Sequence, residues 1–271
     1  MNMGRIESPS SINMYKQCPR RYYYAYIEKI PGKESIYTIR GQVVHKALES
    51  FFQTNIELIN DENYEILLKV VIMNLFNSYW RENIGKINLM LSYNPVIAEH
   101  YYYESLEMIG RWFEVFIARM KNEMLDKNSQ EAFLALKPVT EQKMVADNFS
   151  VQGFIDAIHE NSDGVTLIDY KTSRKNNISE EYRLQLGIYA LLYRENKNVL
   201  PKSVGIFFLG DGSEKLIDVD SGLIKEAEDE CREIQEKTRT NDKKDYEKKP
   251  GRLCKYSGGQ CDYYDICKPF D

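Results

Sequence analysis

Two carboxylates and one ammonium group are placed where they can act together: Asp156, Asp169 and Lys171, in the stretch Asp156-Ala-Ile-His-Glu-Asn-Ser-Asp-Gly-Val-Thr-Leu-Ile-Asp169-Tyr170-Lys171. Asn161-Ser162-Asp163-Gly164 is a turn signal between alternating apolar runs, so the stretch reads as a β-hairpin. If Ser162-Asp163 form a two-residue loop, Asp156 lies opposite Asp169; if Asp163-Gly164 form it, Asp156 lies opposite Lys171. Opposed residues share a face and side chains alternate along a strand, so either register gathers all three groups on one side. Val165 and Leu167 share the face of Asp169, which implies a buried face that ends in charge. Facing carboxylates destabilise a sheet unless something neutralises them, and buried charges need a partner or a metal. A hard divalent cation with oxygen ligands meets both needs, and a lysine beside it can serve chemistry on an anion. On a wet face the same residues would be a solvated hairpin surface with one ion pair.

A second reactive set consists of thiols. Cys254, Cys261 and Cys267 are close-set near the end of the chain, Cys18 lies far upstream, and Cys231 falls in a helical stretch as an ordinary packing residue. Four thiolates satisfy a tetrahedral zinc or a [4Fe–4S] cluster, and ligand softness does not separate the two. The two-residue spacings usual for zinc are missing, and unliganded thiols are the third alternative.

The elements that must position these groups change character along the chain. Apolar periodicity predicts helices over 9–27, interrupted at Pro19, then over 36–53, 63–82 and 96–126. The last two, between 55 and 127, read as an insertion ahead of a sheet. Strands are expected over 138–146, 149–159, 165–171, 203–209 and 215–219. A helix over 179–196 separates the third from the fourth, and such a crossover predicts a parallel pair inside a mixed sheet. On that helix Gln185 and Tyr189, four apart, share a face. The Lys- and Asp-rich stretch 238–251 reads as a flexible link to the cysteine tail. The division expected is a helical region 1–132, a catalytic core 133–240 and a cysteine tail 241–271.

At 271 residues the chain can bury a sizeable core. No apolar run is long enough to cross a membrane and the start has no signal-peptide pattern, so a cytoplasmic protein without structural disulfides is expected. The net charge of −5 argues against a wholly basic nucleic-acid binder, but it reports solubility more than the local field of a groove. Lys16, Arg20, Arg21, Lys29, Lys33 and Arg40, with the lysines of 243–255, would form one basic surface if the two ends of the chain meet. Tyr22, Tyr23, Tyr24 and Tyr26 are either core rings or stacking surfaces for bases.

Five motifs, in order, carry a resemblance over about residues 8–268. Gly153-Phe-Ile-Asp156, Ile168-Asp169-Tyr170-Lys171 and Gln185-Leu-Gly-Ile-Tyr189 resemble the PD-(D/E)XK nuclease pattern in its RecB-like form. Gly41-Gln-Val-Val-His45 resembles the motif in which that family carries a histidine. Cys18-Pro-Arg-Arg-Tyr22 with Cys254, Cys261 and Cys267 resembles the cysteine placement of its iron–sulfur members, which include the AddB nuclease domain and CRISPR-associated RecB-like exonucleases. Those relatives tend to have two residues between the second and third cysteines, and this chain has six.

The resemblance implies a restriction-endonuclease-like α/β fold: a mixed β-sheet flanked by helices, with a helical N-terminal arm or insertion and a cysteine-bearing C-terminal tail. It implies a metal-dependent exonuclease acting on single-stranded DNA ends in repair, recombination or CRISPR adaptation, possible partners being a helicase or an integrase. Asp156, Asp169, the Tyr170 carbonyl and His45 would hold one or two Mg²⁺ or Mn²⁺ ions, the imidazole favouring Mn²⁺. Glu141 stands where relatives often carry a glutamate facing the site. Lys171 would orient the nucleophile or stabilise charge on the phosphate, with Gln185 and Tyr189 beside it. Cys18, Cys254, Cys261 and Cys267 would hold a [4Fe–4S] cluster rather than zinc. The competing classes are a restriction-like endonuclease and a non-catalytic DNA-binding scaffold.

Overall fold

The hairpin closes through the Ser162-Asp163 loop. Strands β2 (Val151–Asn161) and β3 (Gly164–Lys171) pair antiparallel, with Asn161 facing Gly164 and Ala157 facing Ile168. One further step of that register sets Asp156 opposite Asp169. The Asn161 side chain caps the turn by accepting from the Asp163 N–H at 3.0 Å, and Gly164 takes the positive φ of 129° that the turn requires. The computed structural model describes residues 5–173, 176–256 and 259–270.

Strand β1 (Val139–Ala146) lies antiparallel to β2, β4 (Ser203–Phe208) parallel to β3, and β5 (Ser213–Asp218) antiparallel to β4, in the order β1-β2-β3-β4-β5. The parallel pair is joined by the expected crossover helix (Glu180–Lys197), whose Ser179 side chain accepts from the Tyr182 N–H at its start and whose left-handed Asn198 ends it. This is the mixed, helix-flanked α/β sheet of restriction-endonuclease-like proteins.

Helices cover both faces. Before the sheet come α1 (Pro9–Gln17), α2 (Pro19–Tyr22), a π-helical turn (Tyr23–Ile27), α3 (Ile36–Phe51), α4 (Tyr64–Met90), α5 (Pro95–Glu123) and α6 (Ser129–Leu136). The crossover is α7, and α8 (Ser221–Lys237) follows β5. Ala157, Ile168, Tyr170 and Phe207 bury against α3, α4 and α5, whereas Ile155, Ile158, Leu167 and Ile206 bury against α7 and α8. Helix α4 runs well past the expected end at 82, because Ile87 is still fully buried.

The two ends of the chain meet, as the shared basic surface requires. The Arg20 N–H donates to the Glu247 carbonyl at 3.1 Å and the Tyr263 hydroxyl to the Ile30 carbonyl at 3.0 Å. Tyr22 and Tyr24 are core rings, packed with Tyr246 and Tyr263, so they offer no face to a base. The stretch 238–251 is not a loose link. Tyr246 within it is fully buried, and its ring lies 6.1 Å from that of Tyr22 at an interplanar angle of 11°. One aromatic anchor outweighs the surrounding lysines and aspartates. Arg40 also leaves the expected basic surface, since it is buried against Glu104. No helix among the described residues is long and apolar enough to cross a membrane.

Candidate active site

The site begins at a flaw in the sheet. Strands β1 and β2 keep one register on both sides of Glu141 and Asp156, with Thr140 facing Ala157 and Gln142 facing Ile155, but that pair itself is left out. Glu141 holds a left-handed φ of 49°, a costly conformation for a residue with a Cβ. The faces change over here as well: Ile155 and Ile158 both lie on the α7 side, and Ala157 lies on the other. Asp156 therefore does not simply alternate. Its Oδ2 accepts the Tyr170 N–H at 2.8 Å, taking a place in the β2–β3 ladder that a main-chain carbonyl would otherwise fill.

Freed from strict alternation, Asp156 meets α3. His45 Nδ1 lies 3.4 Å from Asp156 Oδ2, and His45, Glu141 and Asp156 offer ligand atoms all within 4.8 Å of one another. They line an open cleft with Gly41, Lys46 and Glu49. Burial pushes the His45 pKa down, but the hydrogen bond and charge of Asp156 outweigh it and hold the imidazole above its ordinary value. Glu141 is raised by burial and then by the charge of Asp156.

Asp169 and Lys171 point toward α7. Asp169 is 2% exposed, and its Oδ1 accepts from Gln185 Nε2 at 2.9 Å, with the Tyr189 hydroxyl at 3.4 Å. Gln185 Nε2 also reaches the Tyr189 oxygen at 2.8 Å. Lys171 Nζ stands 2.7 Å from Asp169 Oδ2, a charge contact that lacks hydrogen-bond directionality, so this buried oxygen keeps unspent lone pairs. Burial raises the Asp169 pKa, Lys171 opposes the shift, and Asp156 adds to it. Lys171 is lowered by burial but raised further by Asp169, so the ammonium is retained. The glycine of the first motif explains how α7 comes so close: a Cβ on Gly153 would lie 3.0 Å from Leu192 and 3.3 Å from Tyr189.

The donor set fits a divalent cation. One imidazole nitrogen and two carboxylate oxygens converge, a third carboxylate carries an unbonded buried oxygen, and the acids raise one another's pKa for want of positive charge. Among residues that reasoning from the sequence did not single out, Lys46 and Glu49 pair at 2.7 Å on the cleft wall. Their position one and four residues after His45 on the same helix was the available signal.

The thiols also converge. Cys18, Cys254, Cys261 and Cys267 all line one cavity of about 320 Å³, while Cys231 is buried elsewhere, in the α8 core. Burial raises the thiol pKa of both Cys261 and Cys267. Among the described residues the set of three ligand groups within 4.8 Å is His45, Glu141 and Asp156, so no three of these sulfurs lie that close together.

Similarity to known proteins bears on both sites. An ATP-dependent helicase/nuclease protein of Clostridioides difficile (strain 630), the larger complex's A component by name, is 28% identical over 202 residues, covering 66% of this chain and 14% of that protein. Its namesake from Thermoanaerobacter sp. (strain X514) is 40% identical over 68 residues, which is 22% of this chain and 6% of that one. The chain thus spans only a small part of the length of these curated relatives. A crystallised candidate exonuclease from Eubacterium rectale aligns with a TM-score of 0.53 at 14% identity, over 93% of this chain and 86% of that one, a likeness of fold. The family model of the PD-(D/E)XK nuclease superfamily matches residues 7–268, a span that holds the His45, Asp156 and Asp169-Tyr170-Lys171 motifs, and the chain belongs to that superfamily.

Proposed function

We propose that this chain is a metal-dependent deoxyribonuclease that removes nucleotides from single-stranded DNA ends. The observation that carries the reading is the convergence of His45, Glu141 and Asp156, with the buried Asp169–Lys171 pair directly behind them. His45, Asp156, Asp169, the Tyr170 carbonyl and Glu141 would hold Mg²⁺ or Mn²⁺. Such an ion, when bound, lowers the pKa of water and polarises a phosphate oxygen. Asp156 uses one oxygen on the Tyr170 N–H, which fixes the carboxylate and, with it, the Tyr170 peptide. Lys171, whose pKa is held high, acts as a cation and not as a base: its ammonium stabilises charge developing on the scissile phosphate. Gln185 and Tyr189 hold Asp169 in place.

The thiols extend the reading. A single zinc holds its four sulfurs at about 2.3 Å, hence under about 4 Å from one another. Thiolates on separate irons of a cluster stand further apart, so a cavity ringed by cysteines without close sulfur triplets favours [4Fe–4S]. Its role would be to staple the helical region 1–132 to the tail 241–271 around the catalytic core 133–240. The names of the relatives favour a helicase partner over an integrase.

The test is digestion of 5′- and 3′-labelled single-stranded DNA by anaerobically purified protein, with and without Mn²⁺, for the parent and Asp169→Ala. A metal-dependent ladder lost in the variant is expected, and the label that shortens gives the polarity. Cleavage of closed circular single strands would instead indicate an endonuclease. Equal activity of variant and parent would sink the assignment of the site, and no cleavage by the parent would leave a DNA-binding scaffold.

A further inference from the structure

Helix α3 carries more than His45 toward the cleft. Tyr37, Gly41, His45 and Glu49 recur every fourth residue and so form one stripe. Three of them line the cleft, and Tyr37 stands one turn before its first wall residue, Gly41. Tyr37 is 60% exposed, yet it is not free to swing. Its ring meets Tyr101 of α5 edge-to-face at 5.7 Å and 89°, and the Tyr101 hydroxyl donates to the Tyr37 oxygen at 3.3 Å.

Beneath the two rings sits a buried cation. Arg40, 4% exposed, lies 5.5 Å from the Tyr37 centroid and 5.9 Å from that of Tyr101. One end of its guanidinium pairs with Glu104, and the other donates to the Thr172 carbonyl at 3.0 Å, one residue beyond Lys171. The two tyrosines are therefore clamped to the strand end that carries Asp169 and Lys171. Between this aromatic shelf and His45 the helix presents Gly41, where even a Cβ would meet only Thr172 Oγ1, at 3.8 Å. A strand of backbone can pass there without obstruction.

We infer that Tyr37, braced by Tyr101 and Arg40, is a stacking platform for a nucleobase of single-stranded DNA at the entrance to the active site. This rests on the nuclease reading above. Along α3 the platform stands about 12 Å from His45, eight residues at 1.5 Å each, within the span of a few nucleotides. An unpaired base has an open face for the ring; a base inside a duplex does not. The ring is already held still, so binding loses little side-chain freedom, and stacking is indifferent to base identity. The shelf thus selects single strands without selecting sequence.

The test reads binding apart from cleavage: fluorescence anisotropy in EDTA, with a labelled oligothymidylate and an equally long strand of abasic residues. Tyr37→Ala is expected to weaken oligothymidylate binding about tenfold, Tyr37→Phe by no more than about twofold, and the parent should lose about tenfold on the abasic strand. Tyr37→Ala should no longer distinguish the two strands. If Tyr37→Ala binds like the parent, or the parent binds both strands alike, the platform is refuted. Should that happen while the parent still cuts single strands with Mn²⁺, the platform alone has failed. A parent that neither binds nor cuts DNA refutes the nuclease reading and the platform together.

Discussion

Gln185 is the residue whose role is most easily mistaken for packing. It bonds Asp169 Oδ1 and the Tyr189 hydroxyl from the same Nε2, so its loss leaves that carboxylate oxygen with only the long Tyr189 contact at 3.4 Å. Groups that orient a metal-binding carboxylate commonly affect metal affinity or activity by about 10–100-fold. Gln185→Ala should therefore raise the Mn²⁺ concentration needed for cleavage by about that factor, with the melting temperature nearly unchanged. A lowered melting temperature with an unchanged Mn²⁺ requirement would reduce Gln185 to a packing residue. The placement of Asp169, Lys171 and Gln185 near one another was readable from a turn signal and a four-residue spacing. The meeting of Asp156 with Glu141 and His45 was not. Strict alternation puts Asp156 on the Asp169 face, whereas the left-handed Glu141 and the captured Tyr170 N–H turn it into the plane of the sheet. Neither departure leaves a mark in residue type, since glutamate is not a residue that announces a positive φ.

At the scale of elements, β4 decides whether the parallel pair can form. It is buried along its whole length, and its Gly205 faces Ile168 on one side and Leu216 on the other. A Cβ there would stand 2.5 Å from both Leu216 Cδ2 and the Lys215 carbonyl oxygen. The side chain can move aside, but the carbonyl belongs to the β4–β5 ladder and cannot. Gly205→Ala should cost about 1–3 kcal/mol of stability in urea unfolding, by overpacking and a strained ladder. A loss below about 0.5 kcal/mol would mean that the edge strand β5 yields freely. The strands and the crossover were legible because alternation, turn chemistry and apolar periodicity all agree there. The end of α4 was not, since Asn83, Gly85 and Asn88 dilute the stripe while Ile87 still reaches the core. The anchoring of 238–251 was also hidden, because composition averages over the one tyrosine that fixes it.

For the molecule as a whole, the tyrosine cluster closes the chain into a single body. Tyr22, Tyr24, Tyr246 and Tyr263 form a core separate from the two that sandwich the sheet, and it borders the cysteine cavity. Of these rings, Tyr246 alone comes from the segment between α8 and the three late cysteines, and the backbone around it is tied to the first helices through Arg20. Removing a fully buried aromatic ring costs about 3–5 kcal/mol. If that loss is confined to the third core, Tyr246→Ala should release the tail while leaving the sheet and its metal site folded. Limited proteolysis should then cut first within 239–256, iron content should fall, and circular dichroism should keep most of the helical signal, because α3, α4, α5 and α7 pack on the other two cores. Proteolysis that begins equally within α4 and α5 would show instead that closure of the ends is a condition of the whole fold. In that case the cysteines would be guarding the integrity of the active site from the far side of the molecule.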